Sequence, residues 1–149
     1  MRSLQDLMHG QSADMAFQRG GDVSRDDYLV MAAGKSGSLA STACVLGAIL
    51  AQATPEAVGA LGCFGRHLGV AFQCVDDMLG IWGDAALTGK PVGADLLARR
   101  RTLPVLAALE AGGKPARQVE RLYGDGGLGP VWLQELMEAI ENAGGRVGR

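Results

Sequence analysis

The sequence predicts an all-α protein whose helices pack as a bundle. Apolar residues recur at helical spacing along most of the chain, and no β-alternation of useful length interrupts them. Helix start and stop signals divide the sequence into segments separated by glycine-containing breaks. With 149 residues, 48% of them hydrophobic and 20% charged, the chain is long enough for one domain with a real core.

The first predicted helix runs from a cap at Ser3 to about Gln18, because a serine hydroxyl can accept from the unpaired N–H groups at a helix start. A glycine-containing segment at 19–22 then ends it. Its apolar residues predict one buried side, formed by Leu4, Leu7, Met8, Met15 and Phe17.

The second predicted helical stretch runs from Arg25 to about Gln52. It is interrupted at 34–37, where two glycines flank a lysine and a serine and weaken the helix locally. A kink at this point is expected to expose the ammonium group of Lys35 and the hydroxyl of Ser36.

A third long helix is predicted to start at Thr54-Pro55-Glu56, which supplies an N-cap, a proline at the first helical position and an acid in the first turn. It continues to the aspartate pair at residues 76–77. Small residues along it permit close approach of another helix: Gly59, Gly62, Gly65 and Gly69.

The remainder of the chain is predicted to hold a loop and three shorter helices. The loop covers residues 83–93, which contain three glycines and a proline. The helices are expected at about 102–111, 115–123 and 130–143, each beginning near a proline.

The segment 71–84 places charged groups inside an otherwise apolar helix. Gln73 lies one turn before Asp76 and Asp77, so helical spacing puts all three on one flank. Charges in such a setting must be paired, hydrated or bound to a cation. Adjacent carboxylates suit Mg²⁺, which prefers carboxylate, water and phosphate oxygens. The alternative is a carboxylate pair bonded to nearby arginine or backbone groups.

The charge balance excludes some classes of partner. The net charge is −2, which gives no basic surface for nucleic acid. The N-terminus has no apolar signal core, and the most apolar run, 39–51, is too short for a membrane span. We therefore expect a cytoplasmic protein with no membrane span.

Several motifs taken together resemble the second half of the trans-isoprenyl diphosphate synthases. The resemblance covers nearly the whole chain, and its pieces occur in the family's order. They are Gly10-Gln11-x-x-Asp14-Met15, Tyr28-x-x-Met31-x-x-x-Lys35-Ser36, Phe72-Gln73-x-x-Asp76-Asp77, Gly83-Asp84, Thr88-Gly89-Lys90, Asp95 and Arg100-x-Thr102-Leu103-Pro104.

The resemblance implies an isoprenoid-synthase-type helical bundle and a role for each matching residue. The Mg²⁺ ligands would be Asp76 and Asp77. The cations that bind the diphosphate of the allylic substrate would be Lys35, Lys90 and Arg100. The residues beside the reacting carbon and the bridging oxygen would be Gln73 and Ser36. Side chains near the metal or facing the same cavity would be Asp95, Gln11, Asp14 and Asp84.

The chemistry explains these residue types. An allylic diphosphate ionises when the departing negative charge is stabilised by metal ions and fixed cations. The carbocation that results requires a dry, apolar cavity. The resemblance therefore implies Mg²⁺-dependent chemistry on an allylic prenyl diphosphate, as part of a prenyltransferase of isoprenoid biosynthesis.

The sequence departs from the family pattern in two informative ways. Gly80 stands where the family usually has a third aspartate. The family's first aspartate-rich motif is absent, so residues 1–149 are interpreted as one partial domain, the C-terminal half of the fold. We expect a hetero-oligomer with a chain that carries the first motif, or a homodimer. Two alternatives stay open: a subunit of a class I type terpene cyclase, and a non-catalytic regulatory subunit of a complete synthase.

Overall fold

A computed structural model describes residues 2–18, 23–127 and 129–146, and every regular element in that part of the chain is helical. The elements in order are α1 (Arg2–Gln18), α2 (Arg25–Ala32), a π turn (Ala33–Gly37), α3 (Ser38–Leu50), α4 (Pro55–Trp82), α5 (Ala85–Thr88), α6 (Ala94–Leu97), α7 (Leu103–Glu110), α8 (Gly113–Gly124) and α9 (Pro130–Asn142). The predicted all-α class is confirmed.

Most predicted helix starts and ends are confirmed, with two corrections. Ser3 lies inside α1 rather than capping it, and its hydroxyl is 2.6 Å from that of Thr42. The segment 83–93 is not a simple loop, because Asp84 accepts a hydrogen bond from the N–H of Ala86 and thereby caps the one-turn helix α5. The predicted break at 19–22 lies outside the described residues.

The described chain divides into two compact units. The first unit contains α1, the part of α2 from Asp26 onward, the π turn, α3, and α4 up to Val75. The second contains Val23–Arg25 and the described residues from Asp76 onward. α4 is therefore one continuous helix to which both units contribute.

Helices of the first unit meet through glycines. A Cβ atom at Gly10 would lie 2.3 Å from the backbone nitrogen of Lys35, so α1 lies directly against the π turn. A Cβ at Gly65 would lie 2.6 Å from the carbonyl oxygen of Ala40, and the same closeness holds at Gly69. The predicted close approach along α4 is confirmed at these positions, whereas Gly59 faces open space.

The predicted buried side of α1 is wrong for three of its five residues. Leu4 is 63% exposed and Met8 is 67% exposed, and Met15 is exposed as well. α1 contacts the π turn through Gly10, whereas the side chains of Leu7 and Phe17 are partly buried.

The predicted helix interruption at 34–37 is confirmed as a π turn over Ala33–Gly37. The hydroxyl of Ser38 donates to the carbonyl oxygen of Gly34 at 2.5 Å, which stabilises the widened backbone. A π turn re-aims side chains within an otherwise continuous helix and is often found at functional sites. Here it carries Lys35 and Ser36, both of them partly exposed.

The second unit has a conventional apolar core. Ile81 at the end of α4 packs with large residues of α6 to α9, including Leu96, Val105 and Leu136. Trp132 is buried in this core and donates its indole N–H to the carbonyl oxygen of Leu122 at 3.1 Å. The first unit buries fewer large side chains, among them Tyr28 and Met31, and combines them with the close glycine contacts.

Two helical stretches in the described chain are long and apolar enough to cross a membrane by length and composition alone. They are Arg25–Leu50 (26 residues) and Pro55–Trp82 (28 residues). The first is longer than the run 39–51 because the helix continues through the π turn. Core helices of soluble proteins pass the same test, so this evidence is weak, and the absence of a membrane span stays a prediction.

Candidate functional site

In the first unit, Lys35 is held by a carboxylate. Its Nζ lies 2.7 Å from Oδ2 of Asp14, and both side chains are largely shielded from solvent. The contact of Gly10 with the π turn brings α1 close enough for this pair. Asp14 thus fixes the position of the lysine, whereas Gln11 is exposed on α1.

A hydrogen bond in the first unit joins two further predicted residues, Ser36 and Gln73. The hydroxyl of Ser36 donates to Oε1 of Gln73 at 3.0 Å, and Gln73 is buried. The small Gly69, one turn before Gln73, permits this closeness, because a Cβ there would lie 2.5 Å from the carbonyl oxygen of Ser36. The structure therefore brings together the two side chains to which the resemblance gives a catalytic role.

A cavity of about 660 Å³ in the first unit adjoins the contact between α1 and the π turn. Its lining does not include Lys35, Ser36 or Gln73. The residues that line it are Asp6, His9, Gly10, Ala13, Phe17, Asp27, Val30, Met31, Gly34 and Arg66.

In the second unit, four predicted residues lie within electrostatic reach of a fifth, Asp95. Asp95 is 8% exposed, and its Oδ1 lies 3.6 Å from Nη1 of Arg100. Burial raises the pKa of the Asp95 carboxyl above its ordinary value, and the guanidinium of Arg100 opposes this shift. The carboxylates of Asp77 and Asp76 raise that pKa further, while the ammonium of Lys90 lowers it.

The adjacent aspartates do not share one flank as predicted. Asp77 is 5% exposed, and its Oδ2 accepts the backbone N–H of Leu103 at 3.1 Å. Asp76 is exposed, because consecutive helix residues point about 100° apart. The backbone bond that was left open as an alternative is therefore observed for Asp77, where a carboxylate meets the start of α7.

Two other predicted groups lie in exposed turns. Lys90 follows the αL residue Gly89, and its backbone N–H lies 3.3 Å from the hydroxyl of Thr88. The carboxylate of Asp84 is engaged in capping α5. Lys90 thus extends from an ordered turn, and Asp84 serves that turn's structure.

Sequence reasoning missed the structural role of Arg99. Its guanidinium donates to the carbonyl oxygens of Tyr123 and Gly127 and lies over the ring of Trp132 at 5.1 Å. Arg99 has a φ of 54°, in the left-handed region that few residues other than glycine adopt. No sequence signal separates the three consecutive arginines, since the contacts of Arg99 depend on where α8 ends and α9 begins.

The residues present fit Mg²⁺ held jointly with a phosphate rather than in a protein cage. No group of three or more histidine, cysteine or acidic residues within the described part of the chain is arranged to hold a metal ion. Mg²⁺ needs only one or two carboxylates when waters and substrate phosphates complete its octahedron. The exposed Asp76 and the buried Asp95 offer such carboxylates. The buried hydroxyl of Thr102, beside Leu103, also lacks a hydrogen-bond partner among the described residues.

The raised pKa of Asp95 gives a testable pH dependence of stability. When the pH lies between the ordinary pKa of 3.8 and the raised pKa, Asp95 keeps its proton in the folded chain and loses it in the unfolded chain. The free energy of unfolding therefore falls as the pH rises through this window. Above the window the full loss of stability is present. We expect Asp95→Asn without added metal to have a higher midpoint of thermal unfolding than the unmodified chain at pH 7, and none of this advantage below pH ~3.8.

Thermal unfolding followed by circular dichroism between pH 3 and pH 8 would measure this difference. The matched control is Asp125→Asn, because Asp125 is exposed at the end of α8. A lower midpoint for Asp95→Asn at pH 7 would mean that the ion pair with Arg100 outweighs the cost of burial.

Comparison with known proteins adds independent evidence. A family model described as Polyprenyl synthetase matches residues 1–141. Over 121 residues the chain is 50% identical to the geranylgeranyl diphosphate synthase of Mycobacterium tuberculosis, a match that covers 81% of this chain and 35% of that protein.

Solved structures give the same result for the fold. The chain is similar to a polyprenyl synthetase from Streptomyces coelicolor, with a TM-score of 0.87 and 36% identity over 97% of this chain and 45% of the other. It is also similar to a geranylgeranyl pyrophosphate synthase from Corynebacterium glutamicum, solved in complex with isoprenyl diphosphate and magnesium, with a TM-score of 0.84, 28% identity, and coverage of 95% of this chain and 41% of that one. The chain thus spans less than half the length of each of these proteins.

Proposed function

Because the chain belongs to the polyprenyl synthetase family, we propose that it takes part in Mg²⁺-dependent ionisation and transfer of an allylic prenyl diphosphate in isoprenoid biosynthesis. Its all-α isoprenoid-synthase-type fold is confirmed by the similarity to the solved structures. The observation that carries the proposal is the grouping in the second unit, where carboxylates and cations surround the buried Asp95.

This grouping supplies both kinds of charge that the chemistry needs. Asp76 would hold Mg²⁺, and Asp77 would add a carboxylate fixed in place by the N–H of Leu103. Lys90 and Arg100 would bind diphosphate oxygens, Arg100 through its planar fork of donors. Bound Mg²⁺ supplies Lewis acidity to the departing diphosphate. The protein's own cations then stabilise the negative charge that develops there.

The first unit offers a complementary set of side chains. Lys35, positioned by Asp14, would supply a further cation for the diphosphate. The pair formed by Ser36 and Gln73 would present a hydroxyl and an amide to the reacting part of the substrate. This proposal is supported by the shielding of all four side chains, since polar groups in such a setting are positioned by their partners rather than by solvent.

We also propose that further polypeptide covers part of the first unit in the working protein. Large apolar side chains on α3 and α4 are exposed there: Leu46, Ile49, Phe64, Leu68, Phe72 and Val75. Soluble monomers rarely expose so many large apolar groups, and burying each one is worth roughly 1.5–3 kcal/mol. The candidates are a chain that carries the first aspartate-rich motif and a second copy of this chain. A cytoplasmic location belongs to the same proposal.

The direct test is Mg²⁺-dependent release of diphosphate from farnesyl and geranylgeranyl diphosphate, with and without isopentenyl diphosphate. The chain is assayed alone and with a polypeptide that carries the first aspartate-rich motif. We expect release to require Mg²⁺ and to be lost in Asp76→Ala. Glu138→Ala on the exposed side of α9 serves as the control. Elongated products with isopentenyl diphosphate would support transfer, and cyclic products without it would favour a terpene cyclase.

The regulatory alternative is favoured by one specific observation. Gly80 leaves the second aspartate-rich motif without its usual third carboxylate. If Asp76→Ala in the assembled complex retained full activity while the chain still altered product length, a regulatory subunit would be the correct description.

A further inference from the structure

The turn that carries Arg100 is tied to the end of α8 by two hydrogen bonds that run in opposite directions. The guanidinium of Arg99 donates to the carbonyl oxygen of Tyr123, and the hydroxyl of Tyr123 donates to the carbonyl oxygen of Arg100 at 3.0 Å. All three residues belong to the second unit, where Tyr123 is partly buried and packs against the apolar core. Two successive residues of the turn are therefore held by one tyrosine.

The backbone of this turn has a conformation that needs such support. The N–H of Arg99 donates to the carbonyl oxygen of Leu96 and the N–H of Arg100 donates to that of Asp95, both at 2.9 Å, which is the pattern of a Schellman motif at the end of α6. Arg99 takes the left-handed position of the motif, with a φ of 54°, where glycine is usual. A residue with a side chain persists in that region only when its surroundings compensate for the strain. The two carbonyl oxygens that accept from its guanidinium supply this compensation.

We propose that the hydroxyl of Tyr123 positions Arg100 for the diphosphate of the substrate. The inference rests on the proposed function, in which Arg100 binds diphosphate oxygens, and it adds a residue that acts through Arg100 rather than on the substrate. The guanidinium of Arg100 is held only loosely by its own ion pair, because its Nη1 lies 3.6 Å from Oδ1 of Asp95 and its side chain is nearly half exposed. With the backbone fixed by Tyr123, less conformational freedom is lost when this guanidinium closes on a phosphate group.

The ring and the hydroxyl of Tyr123 serve separate purposes. The ring packs against the core of the second unit, and a phenylalanine ring would fill the same space. The hydroxyl makes its bond outside that core, to the backbone of the turn. Removing the hydroxyl alone therefore tests the positioning of Arg100 without emptying a packed site.

The test is the binding of inorganic pyrophosphate to the full chain in the presence of Mg²⁺, measured by isothermal titration calorimetry. Tyr123→Phe deletes the donor to the carbonyl oxygen of Arg100 and keeps the ring. We expect this variant to bind pyrophosphate about 3–10-fold more weakly, which is the size of effect that one hydrogen bond supports.

A double variant shows whether the effect passes through Arg100. Arg100→Gln is expected to weaken binding by itself, and Tyr123→Phe in that background is expected to cause no further loss. A merely structural role of the hydroxyl would lower the affinity by the same factor in both backgrounds. The matched control is Tyr28→Phe, which removes the hydroxyl of the chain's other tyrosine, buried in the first unit, and should leave the affinity unchanged. Thermal unfolding by circular dichroism verifies that each variant is folded at the assay temperature.

The outcomes separate this inference from the proposed function. An unchanged affinity in Tyr123→Phe, together with a loss in Arg100→Gln, would overturn the role of Tyr123 and leave the proposed function standing. Equal losses from Tyr123→Phe in both backgrounds would also overturn it, because the hydroxyl would then act by another route. An unchanged affinity in Arg100→Gln, or no Mg²⁺-dependent binding of pyrophosphate to the unmodified chain, would overturn the assignment of Arg100 and the inference with it.

Discussion

Replacing Lys35 by glutamine is expected to lower Mg²⁺-dependent release of diphosphate about 100-fold, measured in whichever assembly of the chain is active. The change removes a cation that Asp14 holds in place at 2.7 Å. A fixed charge stabilises a developing anion more than a mobile one, because no reorganisation is needed when the diphosphate departs. The loss should appear in kcat, since the charge on the leaving group grows during ionisation.

The controls for this prediction come from the same chain. Lys114→Gln removes an exposed lysine on α8 and should leave the rate unchanged. Lys35→Arg keeps the charge, and we expect it to retain more activity than Lys35→Gln. The double variant Lys35→Gln with Asp14→Asn removes both members of the ion pair. Its folding and activity show whether the loss in Lys35→Gln comes from leaving Asp14 without its lysine. A rate for Lys35→Gln within twofold of the unmodified chain would refute the assignment of Lys35 to the diphosphate.

The helical architecture could be predicted from the sequence because its signals are local. Thr54-Pro55 starts α4 and Pro130 starts α9, as capping and proline chemistry require. The weak point at 34–37 was also predicted, since two glycines lower helix propensity wherever they lie. The form of the disruption, a π turn, has no local signal in the sequence.

The buried side of α1 could not be predicted correctly, because several of its large apolar residues are exposed while Gly10 is buried. The pattern rule assigns large apolar residues to the core. Here Gly10 makes the contact instead, and Met8 remains exposed. A glycine face becomes recognisable only when its partner is known, and the partner in this case is the backbone of the π turn.

The residues of the candidate site were named from the sequence, whereas the partners that position them are visible only in the tertiary structure. The sequence identifies Asp76 and Asp77 as a pair, yet only the tertiary structure brings the N–H of Leu103 to Asp77. Thr102-Leu103-Pro104 was recognised as a helix start, and a helix start supplies unpaired N–H groups. Joining these two signals would have predicted the contact.

The Gly69→Ala substitution is expected to destabilise the first unit by about 2 kcal/mol, although alanine is the better helix former. The added methyl group would lie 2.5 Å from the carbonyl oxygen of Ser36 and 2.6 Å from the Cα of Gly37. Both are backbone atoms, so no side-chain rotation can relieve the overlap, and α4 must move away from the π turn. That movement should also lengthen the hydrogen bond between Ser36 and Gln73, which joins the same two elements.

Gly59→Ala in the same helix provides a control, because it is expected to raise stability rather than lower it. A Cβ there meets nothing within 4 Å, so the gain in helix propensity of about 1 kcal/mol is unopposed. Hydrogen exchange of the backbone amides at 33–37 and in α4 measures the local stability of the contact in each variant. Faster exchange in Gly69→Ala, with slower or equal exchange in Gly59→Ala, is the expected result. If both variants slowed exchange, helix propensity would control this unit, and the glycine contacts would not be what determines its packing.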